Sequence, residues 1–142
     1  MLFNENNVVI KERVENWEEA IKVAAIPLLK NNNIEEEYIN KMIESVKKLG
    51  FYIVITDDIA MPHARPEDGV LETGVSFLKV NEAVEFGNNK LHLIFVLAAK
   101  DKNVHIDVIS ELLEIFQDND KISKLKEAIK LEELLEIING GK

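Results

Sequence analysis

The sequence predicts an α/β fold: a three-layer sandwich, with a mixed β-sheet flanked by helices on both faces. Three observations carry this expectation. Leu91 to Ala98 (LHLIFVLA) is almost wholly apolar, as befits a central strand covered on both faces. Stretches with helical spacing of apolar residues lie before and after it. The length, 142 residues with 46% hydrophobic and 30% charged, suits one soluble domain able to bury a sizeable core. No repeat, low-complexity tract or Pro/Gly/Ser linker divides the chain, so residues 1–142 are read as a single domain.

Taken in order, Val8-Val9-Ile10 is a short apolar run and reads as the first strand. Asn16 reads as an N-cap, with Glu19 three residues on as in a capping box. Trp17, Ala20, Ile21, Ala24, Ala25, Leu28 and Leu29 then give a helical stripe, whose end Pro27 kinks or tightens. Asn31-Asn32-Asn33 is a turn. The next helix puts Tyr38, Ile39, Met42, Ile43, Val46 and Leu49 inward and stops at Gly50. The period then shortens. Tyr52 to Ile55 is a β-rich run, Thr56-Asp57-Asp58 a turn, and Ile59-Ala60-Met61 an extended piece, because the residue before Pro62 avoids the α region.

Arg65 to Gly69 reads as a loop, Gly74 to Val80 as a strand, and Val84 to Phe86 as a separate short extended piece. After the central strand, Asn103 is placed to cap a helix with Ile106, Ile109, Leu112, Leu113 and Phe116 inward. Asp118-Asn119-Asp120 breaks it. Two short amphipathic helices, Ile122 to Ile129 and Leu131 to Ile138, close the chain.

Composition excludes much. There are no cysteines, hence no disulfide framework, thiol nucleophile or Cys-ligated metal. The net charge of -9 disfavours nucleic acid and anionic membrane surfaces as partners. No apolar run reaches membrane-spanning length, and the start lacks the basic and apolar regions of a signal peptide, so a cytoplasmic protein is expected. There is no G-x-x-x-x-G-K-[ST], G-x-G-x-x-G or G-x-S-x-G motif.

What remains is three histidines. His63 follows Met61-Pro62 where an extended segment enters a loop, a position that displays reactive groups, although a plain solvent-exposed histidine is an even alternative. His105 falls in the first turn of the helix after the central strand, where unpaired N–H groups favour an anion, although by position alone a plain surface residue is the readier reading. His92, on the same side of its strand as Ile94 and Val96, is expected to be structural and satisfied by backbone or a carboxylate. Arg65 either holds a phosphate at two points or pairs with Glu67 or Asp68 in its own loop. An imidazole nucleophile toward phosphorus, supported by anion donors, fits this set and calls for neither metal nor cofactor. A metal- or ligand-binding module built on His63, His105 and a carboxylate is the alternative from another class.

Thr56-Asp57-Asp58-Ile59-Ala60-Met61-Pro62-His63-Ala64-Arg65-Pro66-Glu67-Asp68-Gly69-Val70 resembles the active-site segment of enzyme IIA of the phosphoenolpyruvate-dependent sugar phosphotransferase system, fructose–mannitol type. Phe95 to Asp101 and Asn103 to Leu112 resemble the family's second segment. The His-Ala-Arg-Pro-Glu-Asp-Gly string is most similar to the ascorbate-type branch. The resemblance implies a phosphotransferase with a phosphohistidine intermediate that supports uptake of an ascorbate-like or fructose/mannitol-type sugar. His63 would be phosphorylated on Nε2 (a tele-phosphohistidine), and His105 would steady the phosphoryl group. The donor would be the histidine phosphocarrier protein and the acceptor a cysteine of the cognate enzyme IIB. Mannitol-type members carry an arginine upstream of the active histidine; here that stretch reads Ser45-Val46-Lys47-Lys48, leaving Arg65 as a candidate substitute. A regulatory enzyme IIA-like phosphoprotein shares the same histidine chemistry.

Overall fold

A computed structural model describes residues 2–101 and 106–140. Five strands form one mixed sheet: β1 (Val8–Lys11), β2 (Val54–Thr56), β3 (Ile59–Ala60), β4 (Gly74–Phe86) and β5 (Asn89–Ala98). Their spatial order is β1-β4-β5-β3-β2. β1 runs parallel to β4, β4 antiparallel to β5, β5 parallel to β3, and β3 antiparallel to β2. Helices α1 (Trp17–Lys30) and α2 (Glu36–Leu49) cover one face; α3 (Ile106–Gln117), α4 (Asn119–Glu127) and α5 (Leu131–Asn139) cover the other. This is the three-layer arrangement expected from the sequence.

The sheet has two cores because the side-chain period of a strand is two. On β5, Ile94, Val96 and Ala98 join Ala24, Leu28, Tyr38 and Met42 beneath α1 and α2. Leu93, Phe95 and Leu97 join Leu112, Phe116, Leu125 and Leu134 on the other side. There Phe77 stacks on Phe95 with ring centroids 4.3 Å apart, and Phe3 meets both rings edge-on.

The structure corrects several expectations. Gly74 to Phe86 is one strand, not two pieces; its pairing with β5 shifts register between Lys79 and Val84. That irregularity breaks the alternation of side chains. Leu91, paired with Val84, joins the core under α1 and α2, so His92 is turned away from the side of Ile94 and Val96. Its Nδ1 instead lies 2.9 Å from Asp58, which also holds Lys126 of α4 at 2.7 Å. A carboxylate partner for His92 was expected; its side of the strand was not. Leu49 is 68% exposed rather than inward, being the last residue of α2. On α3, Leu112, Ile115 and Phe116 are buried, whereas Ile109 and Leu113 form an exposed pair one turn apart. The proposed cap Asn103 lies outside the described residues.

The local signals near α1 hold with one change. The Asn16 side chain accepts the Glu19 N–H at 2.9 Å, but the Glu19 carboxylate reaches back to the N–H of Glu15, not Asn16. Pro27 is accommodated in the last turn, which runs on to Lys30.

Candidate functional site

His63 is displayed by a strand that outlasts its ladder. After Ile59 and Ala60 pair with Leu93 and Ile94, Met61 and Pro62 keep hydrogen bonds to the chain on either side. Met61 N–H donates to the Ile53 carbonyl at 2.8 Å, and the Pro62 carbonyl accepts Leu97 N–H at 3.1 Å. Proline has no N–H to offer, so its place in the sheet uses the carbonyl alone. His63 therefore leaves the sheet from a fixed base, beside the end of β5.

The His63 ring is also fixed. Nδ1 lies 2.8 Å from the Met61 carbonyl oxygen. A carbonyl oxygen can only accept, so Nδ1 carries the proton and Nε2 keeps its lone pair in the neutral ring. Tyr52 meets the ring edge-on, with centroids 5.7 Å apart and planes at 88°. The free nitrogen is thus the one remote from the backbone.

The following loop closes on itself. Pro66–Asp68 form a single 3₁₀ turn. The Asp68 carboxylate accepts the Arg65 backbone N–H at 2.9 Å, Nε at 3.3 Å and Nη2 at 3.2 Å. Arg65 Nη1 stands 3.6 Å from Glu67. Of the two uses foreseen for Arg65, its side chain is drawn in loop pairing. The hydrogen bond from Arg65, with a smaller opposing effect of burial, holds the Asp68 carboxyl below its usual range. Gly69 ends the turn at φ 127°, a backbone that favours glycine, and a Cβ there would stand 3.2 Å from the Tyr38 nitrogen.

His63 lines an open cleft of about 820 Å³ between this loop and α2. Lys41, Ser45 and Lys48 form one stripe of α2 along it, by their spacing of four and three residues. Lys47, Arg65, Glu44 and Asp68 also line it, with Leu49 and Tyr52 as an apolar rim. Four cations face two carboxylates there, in a chain whose net charge is -9. The cleft is a positive island suited to a dianionic group. Lys41 and Tyr52 were not read as site residues, and Lys47-Lys48 were read only as a stretch without the family arginine, because helix α2 and the His63 loop meet only in three dimensions. His105 lies outside the described residues. Among the described residues no cluster of three or more His, Asp or Glu side chains could hold a metal ion.

Residues 1–141 match the family described as "Phosphoenolpyruvate-dependent sugar phosphotransferase system, EIIA 2". The chain belongs to this EIIA family. It is accordingly a phosphotransferase-system component of sugar uptake. The EIIA chain is 30% identical to the ascorbate-specific EIIA component of Escherichia coli K12, over 97% of this chain and 92% of that protein. The solution structure of the mannitol-specific cryptic phosphotransferase enzyme IIA from Escherichia coli superposes with a TM-score of 0.91 at 32% identity, over 99% of this chain and 97% of that one. The mannitol enzyme IIA of the same organism, solved in complex with phosphorylated enzyme IIB, gives 0.82 at 30% identity, over 98% of each chain. No helix among the described residues of the EIIA chain is long and apolar enough to cross a membrane.

Proposed function

We propose that this chain is one EIIA domain over residues 1–142 that relays a phosphoryl group on His63 Nε2, between the histidine phosphocarrier protein and a cysteine of the cognate enzyme IIB. The observation that carries the reading is the Nδ1 contact to the Met61 carbonyl, which leaves Nε2 as the nucleophile at a positive cleft. In the first transfer the Nε2 lone pair forms a bond to phosphorus. The donor's N–P bond breaks, and its electron pair returns to the donor imidazole. The proton stays on Nδ1 throughout, donated in a hydrogen bond to the Met61 carbonyl. In the second transfer the enzyme IIB thiolate attacks phosphorus and the Nε2–P bond breaks toward Nε2. Such chemistry is mostly positioning and charge stabilisation, with no metal or cofactor on this chain.

His105 is assigned the part of a phosphoryl-steadying neighbour, on the resemblance of its segment. Arg65 stands at the cleft rim, and to clamp the group it must first leave Asp68. The relatives named ascorbate-specific and mannitol-specific support an ascorbate-like or fructose/mannitol-type sugar downstream, with this chain working on the cytoplasmic side. The sugar itself does not meet this chain.

The test is reconstitution with phosphoenolpyruvate, enzyme I and the phosphocarrier protein. Intact mass should show one acid-labile phosphoryl group on the wild type and none on His63→Ala, whose fold is unchanged. His105→Ala should still be labelled, but more slowly. Labelling that survives in His63→Ala overturns the assignment.

A further inference from the structure

Tyr38 is fully buried and lines no part of the cleft, yet its hydroxyl holds the backbone around His63. The oxygen accepts the Ala64 N–H at 2.9 Å and donates to the Leu97 carbonyl at 2.7 Å. Leu97 N–H in turn donates to the Pro62 carbonyl at 3.1 Å. The two residues flanking His63 are thus tied to the same residue of β5, Pro62 directly and Ala64 through the phenol oxygen. The residue capping α2 holds the far end of the loop as well, where Glu35 N–H donates to the Gly69 carbonyl at 2.8 Å. Gly69 is pressed against the Tyr38 backbone too closely for a side chain with φ 127°.

A hydroxyl in a packed core is retained where it has a task. A core made only for packing would take phenylalanine here. The contact between Nδ1 and the Met61 carbonyl joins a side chain to the backbone two residues earlier, so it forms only for a narrow set of backbone angles at Pro62 and His63. Those angles are what the ties to Leu97 fix. Burial pushes the Tyr38 hydroxyl up to about 12, the Ala64 N–H pulling slightly the other way, so the donor proton to Leu97 is present throughout the working pH range.

We propose that Tyr38 is a positioning residue for phosphoryl transfer: its hydroxyl holds the Pro62–Ala64 backbone so that His63 Nδ1 stays on the Met61 carbonyl and Nε2 alone is presented to phosphorus. This inference rests on the reading of His63 as the phosphoryl acceptor. Without the tie, the ring gains the other tautomer and another orientation, and either nitrogen meets the donor.

The experiment compares wild type with Tyr38→Phe, which keeps the ring and removes the oxygen. Nitrogen-15 spectra of the unphosphorylated proteins should give His63 as the Nδ1–H tautomer in the wild type and as a mixture in the variant. Labelling through the phosphocarrier protein should slow roughly tenfold to a hundredfold, the range expected for a misplaced nucleophile. Part of the label should move to Nδ1. A folded Tyr38→Phe with the wild-type tautomer, rate and site of labelling overturns the proposal. If the wild type itself gains no phosphoryl group on His63, the acceptor reading falls, while the tautomer comparison still judges Tyr38.

Should Tyr38→Phe not fold, 3,5-difluorotyrosine at position 38 keeps both bonds but ionises far more readily. Its labelling rate should fall with rising pH where the wild type is level, because the ionised oxygen still accepts from Ala64 but cannot donate to Leu97. A level profile across the pH range in which absorbance shows the fluorinated phenol ionising overturns the proposal.

Discussion

Arg65 and Asp68 test how far a single ion pair shapes the site. Asp68 is nearly buried, and its carboxylate accepts three hydrogen bonds from Arg65, one of them from the backbone N–H. The Arg65 side chain is 72% exposed. The carboxylate therefore does more for the loop than the guanidinium: losing it strands a backbone donor, whereas losing the fork loosens a solvated pair. Arg65→Lys should keep the labelling rate within about threefold of wild type, and Asp68→Ala should lower it by roughly tenfold. The reverse order would make the guanidinium a clamp on the phosphoryl group. The pH dependence has a definite sign. A carboxyl held below its ordinary value stabilises the fold above that value, near about 4, and the contribution is lost as pH falls through the folded one. Loop closure should weaken in acid in the wild type, and that step should be missing in Asp68→Ala. The rates and amide exchange of residues 64–70 read both.

At the scale of elements, the β2–β3 turn has its own latch. Asp58 sits at φ 74°, a left-handed backbone that aspartate and asparagine tolerate better than most residues. Its carboxylate joins His92 of β5 to Lys126 of α4. Partial burial raises its pKa, but hydrogen bonds from Lys126 and His92 outweigh this and leave it lowered. Asp58→Asn, which suits the same backbone, should cost about 1 kcal/mol and lower Tm by about 3–5 °C at neutral pH. The difference should shrink as pH falls below the ordinary carboxyl value of about 4 and vanish only as it passes through the lower folded value, where the wild-type carboxyl takes up its proton. Thermal melts of the two proteins across pH check this. The sequence allowed a carboxylate partner for His92 but did not identify it, since Asp58 read only as a turn residue and its partners lie 34 and 68 positions away.

What was legible were features with local causes: the Asn16 cap, the Gly50 stop, the apolar run of β5 and the histidine beside Pro62. What was not legible depended on tertiary packing. Helix α3 carries more apolar residues than its contact can cover, so sequence alone could not show that Ile115 turns inward and Ile109 outward. The register shift in β4 likewise has no signature in its residues, yet it decides which way His92 points. Tyr38 was read as one core residue among six. Only the fold brings its hydroxyl to Ala64 and Leu97.

Across the whole molecule, the two charge patterns act at different ranges. The chain carries 26 Asp and Glu against 17 Lys and Arg, while the cleft around His63 gathers four cations and two carboxylates. A field set by -9 reaches a Debye length or more into solution and attracts a partner with a basic face; the cleft cations act only on a group already within it. Encounter and chemistry should therefore respond differently to salt. Raising ionic strength from about 0.01 M to about 0.5 M shortens the Debye length from about 30 Å to under 10 Å. The second-order rate of labelling by a basic phosphocarrier should fall by about tenfold over that range, with most of the loss in association. The single-turnover rate within the formed complex should change by less than about twofold, because the group is then shielded from solvent ions. Glu132→Lys, exposed on α5 across the sheet from α2 and the cleft, should reduce the salt dependence and leave the single-turnover rate alone. Lys48→Glu, on the cleft stripe, should do the opposite, slowing the step within the complex. If both variants changed association alone, the positive island at His63 would be a docking feature and not a phosphoryl site.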